Sequence, residues 1–329
     1  MKQVNPSGLN YIDGFAGPGV YSKGEDGSPV IAIKSALEHR LPLPGISFIF
    51  IEKDKATASK LESVLSNRFP KLPGSTEYEV YHGEFAEVIT RILDDFDLKG
   101  KTIAPTFTFV DPFGYSGFPM SVLDRLLKPN ATELLITFMA SRIRRFLDPL
   151  HESAMDLLYC TPDWRSAREM NGKHRIDFLL NLYVECLKRN TNAKHVMTFE
   201  MADNNGDTIY YLIFVTKHSK GCEVMKEAMW TVDRTGTYRF FDYADGVRRF
   251  ELSESSSEWA EYAQALIVEN FRGKSIPIED LQEFFGPTPF LWRKRKLLVP
   301  LEDSGAIARV DGRTRRRTFP EGCVITFSA

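Results

Sequence analysis

Asp13 stands between an apolar pair, Tyr11 and Ile12, and a run of glycines, Gly14, Gly17 and Gly19, in the stretch YIDGFAGPGVY. Glycine lets a backbone approach a ligand closely. A carboxylate just before such a turn can accept hydrogen bonds from a cationic donor. The spacing GxxGxG matches neither the dinucleotide fingerprint GxGxxG nor the phosphate loop GxxxxGK[ST]. Three further acids close predicted strands: Glu52 in FIFIE, Glu84 beside Phe85 in HGEF, and Asp111 in FVDPFGY. An acid in the place of Glu52 can accept from a pair of hydroxyls. One like Glu84 can accept from an amino group while the neighbouring ring covers a flat ligand. Open α/β sheets bind ligands beyond the carboxyl ends of their strands. Taken singly, each site has a purely structural alternative: a glycine turn, a helix-opening charge, a core phenylalanine, an Asp-Pro turn. Arg142, Arg144 and Arg145 follow the fifth predicted strand and are placed to hold phosphate or to pair with local acids.

Bringing four strand ends together requires a parallel sheet, and the chain has the pattern for one. LNYID, ISFIFIE, TEYEVYHG, PTFTFVD and ATELLITFMA read as strands. The segments between them, SPVIAIKSALEHR, DKATASKLESVLSNRF, FAEVITRILDDF and FPMSVLDRLL, read as helices. Ser28 and Asp54 are the expected caps of the first two, with Pro29 opening the first. Such βα repetition predicts an α/β fold with helices on both faces of the sheet. After an irregular stretch around Trp164 and the helix HRIDFLLNLYVECLKRN come two strands, KHVMTFEMA and TIYYLIFVT. The short DNNGD connection between them permits only an antiparallel hairpin. A Rossmann-like sheet that ends this way resembles the methyltransferase arrangement more than the dinucleotide one.

The domain reading is residues 1–250, a polar linker at 251–258 (ELSESSSE), and a C-terminal unit at 259–329. That unit reads as three helices, WAEYAQALIVENFRG, SIPIEDLQEFFG and TPFLWRKRKLLVPLEDSG, then strand, basic loop and strand, a winged helix-turn-helix pattern. Its third helix carries Arg293, Lys294, Arg295 and Lys296, and its loop region carries Arg309, Arg313, Arg315, Arg316 and Arg317. Residues 285–329 hold nine basic and four acidic side chains, a local excess of five in a chain whose net charge is -2. This bias suits a phosphate backbone, with a solvated face or protein-docking surface as the alternative. The whole chain, 329 residues with 43% hydrophobic content, is no polybasic binder. No apolar run is long enough for a membrane span, and the start lacks a signal-peptide pattern. The four cysteines are far apart without a CxxC pair, so reduced thiols in a cytoplasm are expected and no metal site. There are no internal repeats.

Two resemblances follow from these stretches. Asp111-Pro112-Phe113-Gly114-Tyr115 is similar to the [DNS]PP[YFW] motif of amino-group methyltransferases, with Phe113 where the second proline belongs. No Pro-Cys nucleophile motif accompanies it. More broadly, YIDGFAGPGVY, GSPVIAI, FIFIEKD, FVDPFGYSGFP and the ending FPEGCVITF resemble the three-Cys-motif partner protein family over most of the chain. The resemblance implies a class I methyltransferase-like domain with S-adenosyl-L-methionine as cofactor. It also implies a partner bearing a three-cysteine motif, similar to radical enzymes that hold an iron–sulfur cluster. Relatives carry a helical segment before the first strand, where this chain has few residues. On this reading Asp13, Gly14, Phe15, Gly17 and Gly19 hold the cofactor, Glu52 its ribose, and Glu84 and Phe85 its adenine. Asp111, Phe113 and Tyr115 face the acceptor, on DNA, RNA or a nucleotide-related molecule. The alternative expectation is a non-catalytic adaptor with a degenerate methyltransferase fold. A nicotinamide dehydrogenase is disfavoured by the glycine spacing.

Overall fold

Every residue of ISFIFIE is buried, and this run forms β2, Ile46–Glu52. Its alternate side chains feed two separate cores. Ile49 and Ile51 join the larger one with Ile12, Val110, Leu134 and Ile136. Phe48 and Phe50 join the smaller with Val30, Ile33, Leu61 and Leu65. A strand buried on both faces needs no polar alternation, which is why the run reads as continuous. The computed structural model describes residues 8–40, 43–139, 147–202, 208–232, 239–241, 258–286, 288 and 290–329.

The chain divides into two compact units: residues 1–198 with 208–217, and residues 199–207 with 218–329. Of the expected linker, residues 251–257 lie outside the described residues, and Glu258 opens a helix. In the first unit, β1 (Leu9–Asp13), β3 (Glu77–His82), β4 (Thr106–Val110) and β5 (Thr132–Phe138) accompany β2. They alternate with α1 (Ser28–Leu37), α2 (Lys55–Arg68), α3 (Phe85–Leu98) and α4 (Met120–Leu127). β1 lies between β2 and β4, parallel to both, with Asp13 opposite Phe50 and Phe109. β7 (Thr208–Thr216) runs antiparallel to β5, Leu134 opposite Val215. The sheet order is β3-β2-β1-β4-β5-β7-β6-β8, with β6 at His195–Ala202 and β8 at Arg239–Phe241. The fold is thus mixed α/β with a mostly parallel, Rossmann-like sheet. Three-residue β8 is too short to show a period, and the sequence reading does not contain it.

The stretch around Trp164, expected to be irregular, contains short helices. A 3-10 turn at Pro149–His151 leads into α5 (Glu152–Tyr159), and a longer 3-10 segment spans Pro162–Glu169. Trp164 is fully buried and its indole donates to Asp156 at 2.8 Å. Then α6 (Gly172–Asn190) follows as expected.

Of the two expected helix caps, one forms. Asp54 accepts from the Thr57 amide and caps α2. The cap of α1 is Gly27, not Ser28. Gly27 donates its amide to Gly19 O at 2.8 Å, and a Cβ there would stand 3.1 Å from that oxygen. Ser28 is thereby pushed into the helix, and its hydroxyl turns to Asp13 instead.

The second unit contains α7 (Ser219–Val232), α8 (Glu258–Phe271), β9 (Ser275–Pro277), α9 (Ile278–Phe285), α10 (Lys294–Asp303), β10 (Ile307–Asp311) and β11 (Val324–Phe327). The helix expected from Ser275 begins only at Ile278. Extended Pro277 lacks the amide a helix would use, and Ser275–Pro277 pair instead with β11, Ile276 opposite Ile325. The small sheet has the order β10-β11-β9 and is antiparallel throughout. Ile267, Leu281, Phe285, Leu297, Leu298 and Ile325 fill its core. Lys226 of α7 is buried and donates to Phe285 O and Phe290 O. Burial pushes its pKa down to about 8. No helix among the described residues is long and apolar enough to cross a membrane.

Candidate functional site

From β1 the chain steps outward through β2 and β3, then returns to build β4 and β5 on the other side. β1 and β4 stay paired as far as Asp13 and Phe109, but the connections that leave them run in opposite directions, and an open α/β sheet places its ligand crevice at such a point. Asp13 ends β1 at that point and is 0% exposed. Its Oδ2 accepts from the Ser28 hydroxyl at 2.6 Å and its Oδ1 from the Phe15 amide at 3.2 Å. Burial drives its pKa up to about 6; the two hydrogen bonds oppose this, and the charges of Asp111 and Glu52 add to it. Asp13 thus lies within reach of the charges of Asp111 and Glu52 at a dry strand end. A cation placed among them relieves both the desolvation and the mutual repulsion.

The glycine turn is built by steric necessity. A Cβ on Gly14 would lie 2.6 Å from the buried Phe85 ring. Gly17 has φ +63°, a left-handed value that favours glycine. A Cβ added there would meet nothing within 4 Å, so that side of the turn is open. The Gly17 amide donates to Glu52 Oε2 at 3.0 Å, while the Asp54 amide donates to Glu52 Oε1 at 2.8 Å. Glu52, only 6% exposed, therefore ties the turn to the start of α2. The sequence reading gives Glu52 to a ligand, and the structure gives its carboxylate this positioning duty as well. Glutamine keeps the shape of Glu52 but puts an NH2 against one of two amide donors. The Glu52→Gln protein is expected to lose about 1–3 kcal/mol of stability, because one buried N–H is left without an acceptor. Urea unfolding of the two proteins side by side measures that difference.

Glu84 is exposed and caps α3 without a side-chain hydrogen bond to it. Phe85 is corrected. Its ring is 1% exposed and belongs to the core beneath Gly14, so it offers no face to a ligand. The half-buried ring on this side is Phe15, 5.7 Å from Phe85 and edge-on to Phe118 at 6.4 Å.

Asp111 follows β4 and is partly buried. Burial raises its pKa, against a hydrogen bond with the Thr137 side chain at the end of β5. The aromatics after it part company. Phe113 is 71% exposed, whereas Tyr115 is buried with its ring edge-on to His151 at 5.8 Å. Burial, then the Asp148 charge, raises the Tyr115 hydroxyl pKa. Two tyrosines that the sequence reading lacks also belong here. Tyr11 and Tyr21 both have raised pKa values, first through burial and then through the charges of Asp13 and Asp111. Tyr11 is legible in retrospect, since it lies two residues before Asp13 on the same strand face. Tyr21, Ser28 and Thr137 carry no such signal, because loop closure and strand pairing bring them in. Arg142, Arg144 and Arg145 lie outside the described residues.

The basic residues of the second unit sort by their partners. Arg313 makes a bidentate pair with Glu302, at 2.6 and 2.9 Å, and both side chains are largely buried. Arg317 pairs with Asp303 at 2.7 Å, and Arg293 with Glu227 at 2.8 Å. Lys294 reaches toward Phe319 O at 3.5 Å. Arg316 stands 3.6 Å from both Glu302 and Asp303 and stays largely exposed. Arg295 and Lys296 are exposed on α10. Arg295 and Arg315 have no carboxylate partner among the described residues.

No family model and no curated relative matches the sequence. Among solved structures, the chain is similar to Trm1 from Pyrococcus horikoshii in complex with S-adenosyl-L-methionine, at 14% identity and TM-score 0.37. That alignment covers 66% of this chain and 53%, about half, of the other. A SAM-dependent methyltransferase from Methanosarcina mazei matches at 14% identity and TM-score 0.29, over 65% of this chain and 93% of that one. Geranyl diphosphate C-methyltransferase from Streptomyces coelicolor, with Mg2+, geranyl diphosphate and S-adenosyl-L-homocysteine, matches at 13% identity and TM-score 0.27, covering 66% and 75%. These scores are low, and function is read from the site alone.

Proposed function

We propose that the protein is an S-adenosylmethionine-dependent methyltransferase. The observation that carries this reading is the Asp13–Gly17–Glu52 arrangement: a dry carboxylate, a glycine turn open on one side, and a second acid that holds the turn. These residues fit the cofactor's chemistry. Its charged groups are cationic apart from one carboxylate, and the crevice is lined by acids whose charges repel one another. Gly17, open on one side, lets the backbone approach, with Gly14, Phe15 and Gly19 shaping the turn beside it; Asp13 receives a cationic donor, Glu52 accepts ribose hydroxyls with its remaining lone pairs, and Glu84 accepts from adenine. When bound, the cofactor supplies an electrophilic methyl group.

What the chain contributes is alignment and exclusion of water, since a direct displacement needs little else. Asp111, held by Thr137, orients the acceptor and takes its proton; its raised pKa moves it toward the useful range for a general base. Phe113, 71% exposed, stacks on the acceptor, while Tyr115 braces the loop from within.

Nucleic acid or a nucleotide-related molecule is the acceptor class we favour, supported by the basic second unit. Its order of helix, strand, two helices and two strands supports the winged helix-turn-helix reading. A three-Cys-motif protein is the proposed partner. The test is incubation with methyl-tritiated cofactor and duplex DNA, RNA or the partner protein. Label in one of the nucleic acids is the expected result. Label in none of the three, from protein shown to be folded, contradicts the reading.

A further inference from the structure

Two grooves flank the loop between β10 and β11, and Arg315 lines both. One is walled by Arg309, Arg313, Arg316 and Glu302, the other by Lys294, Arg295, Thr314 and Thr318. The cations divide into two kinds. Arg313 and Arg317 are struts: their forks are taken by Glu302 and Asp303, which pin the loop to the end of α10. Arg315 and Arg316 on the loop and Arg309 on β10 are exposed. Arg309 is 71% exposed, and its acidic partner among the described residues is exposed Asp311, a surface pair that holds its arginine weakly. Arg316 is 69% exposed, at a long 3.6 Å from its acids.

We propose that this loop, the adjoining face of β10 and the exposed start of α10 form a docking surface for the phosphate backbone of duplex DNA, with Arg295, Arg309, Arg315 and Arg316 as the contacts and Arg313 and Arg317 as supports. It deepens the reading of nucleic acid as acceptor by naming the surface that grips it. Charge complementarity points to a polyanion. The aromatic content of the grooves separates the kinds. Single strands are held by stacking on exposed rings. The one ring lining these grooves, Phe319, is 6% exposed and turned into the core. A duplex needs no such platform. The B-form major groove admits a helix such as α10, whereas the narrow major groove of duplex RNA does not.

The test is fluorescence anisotropy of the full-length protein with duplex DNA, duplex RNA and single-stranded DNA across a salt series. Duplex DNA is expected to bind best, with an affinity that falls linearly in log–log form, about 0.9 per phosphate contact. The Arg309→Ala/Arg315→Ala/Arg316→Ala protein should bind about tenfold or more weakly at ~50 mM salt and show a slope flatter by roughly 2–3. Arg315→Glu alone, with its melting temperature unchanged, should weaken every duplex sequence alike, because phosphate contacts position without specifying. No duplex binding at ~50 mM salt, tighter binding of RNA or single strands, or variants that bind as well as the parent would overturn the proposal. Calorimetry with S-adenosylmethionine on the same preparation keeps the two readings apart: cofactor binding without DNA binding removes this surface and leaves the methyltransferase.

Discussion

The Asp13→Asn protein is expected to be more stable than the parent without ligand at neutral pH, and to bind S-adenosylmethionine poorly. Asp13 ionises at about 6 in the folded state, because burial outweighs its two hydrogen bonds. In the unfolded chain the same group ionises near ~3.9. As pH rises from about 4 to 6 the unfolded chain gives up this proton first, so the folded state loses stability across that window. Above it the penalty stays constant, at about 3 kcal/mol from the difference of the two values. Asparagine carries no charge and escapes this cost. It also weakens the 2.6 Å bond from Ser28, so the net gain near pH 7.5 is about 1–2 kcal/mol. At about pH 4 the parent is also protonated and the advantage vanishes. Thermal unfolding at the two pH values reads this directly. A variant no more stable than the parent at neutral pH would show that Asp13 is not strained by its burial. Cofactor affinity should fall by roughly 10- to 100-fold, the loss of a charge-assisted hydrogen bond in a dry site.

Asp111→Asn is expected to do the reverse: little change in cofactor affinity, and turnover lower by about 100- to 10,000-fold, the usual contribution of a positioned general base. Asparagine keeps the size of the side chain and a hydrogen bond with Thr137, so the loop should stay in place. The parent's rate should fall on the acid side, with its midpoint above the ordinary carboxylate range, because burial raises the pKa of Asp111. In the variant that acid limb should disappear. Equal losses in affinity and turnover would move Asp111 into the cofactor shell, and an unaltered pH profile would remove it as the base.

Much of this site is legible because strand ends are. A glycine turn after LNYID, an acid closing ISFIFIE and an Asp-Pro after PTFTFV mark three neighbouring strand ends, and the βα repetition says those ends lie together. What remained hidden depends on side-chain direction and closure. Phe85 has the residue type of a ligand cover, but a missing Cβ at Gly14 is what its ring fills. Ser28 has the residue type of a cap, but Gly27 takes that place through its contact with Gly19. The positive charge near the C-terminus is visible in composition. Which arginines are struts depends on Glu302 and Asp303 meeting the loop across a helix end, and spacing does not encode that. The five-residue connection made an antiparallel strand legible, but not the place of β7 between β5 and β6, and three-residue β8 was not legible at all.

On the function proposed above, the crevice at the ends of β1, β2 and β4 receives S-adenosylmethionine. The most direct measurement is an isothermal titration of the folded full-length protein with S-adenosylmethionine, S-adenosylhomocysteine and NAD. Saturable binding of the first two is expected, tighter for the cationic donor because the acids around Asp13 favour positive charge, and none for NAD. Binding of NAD alone, or of none of the three, would contradict it.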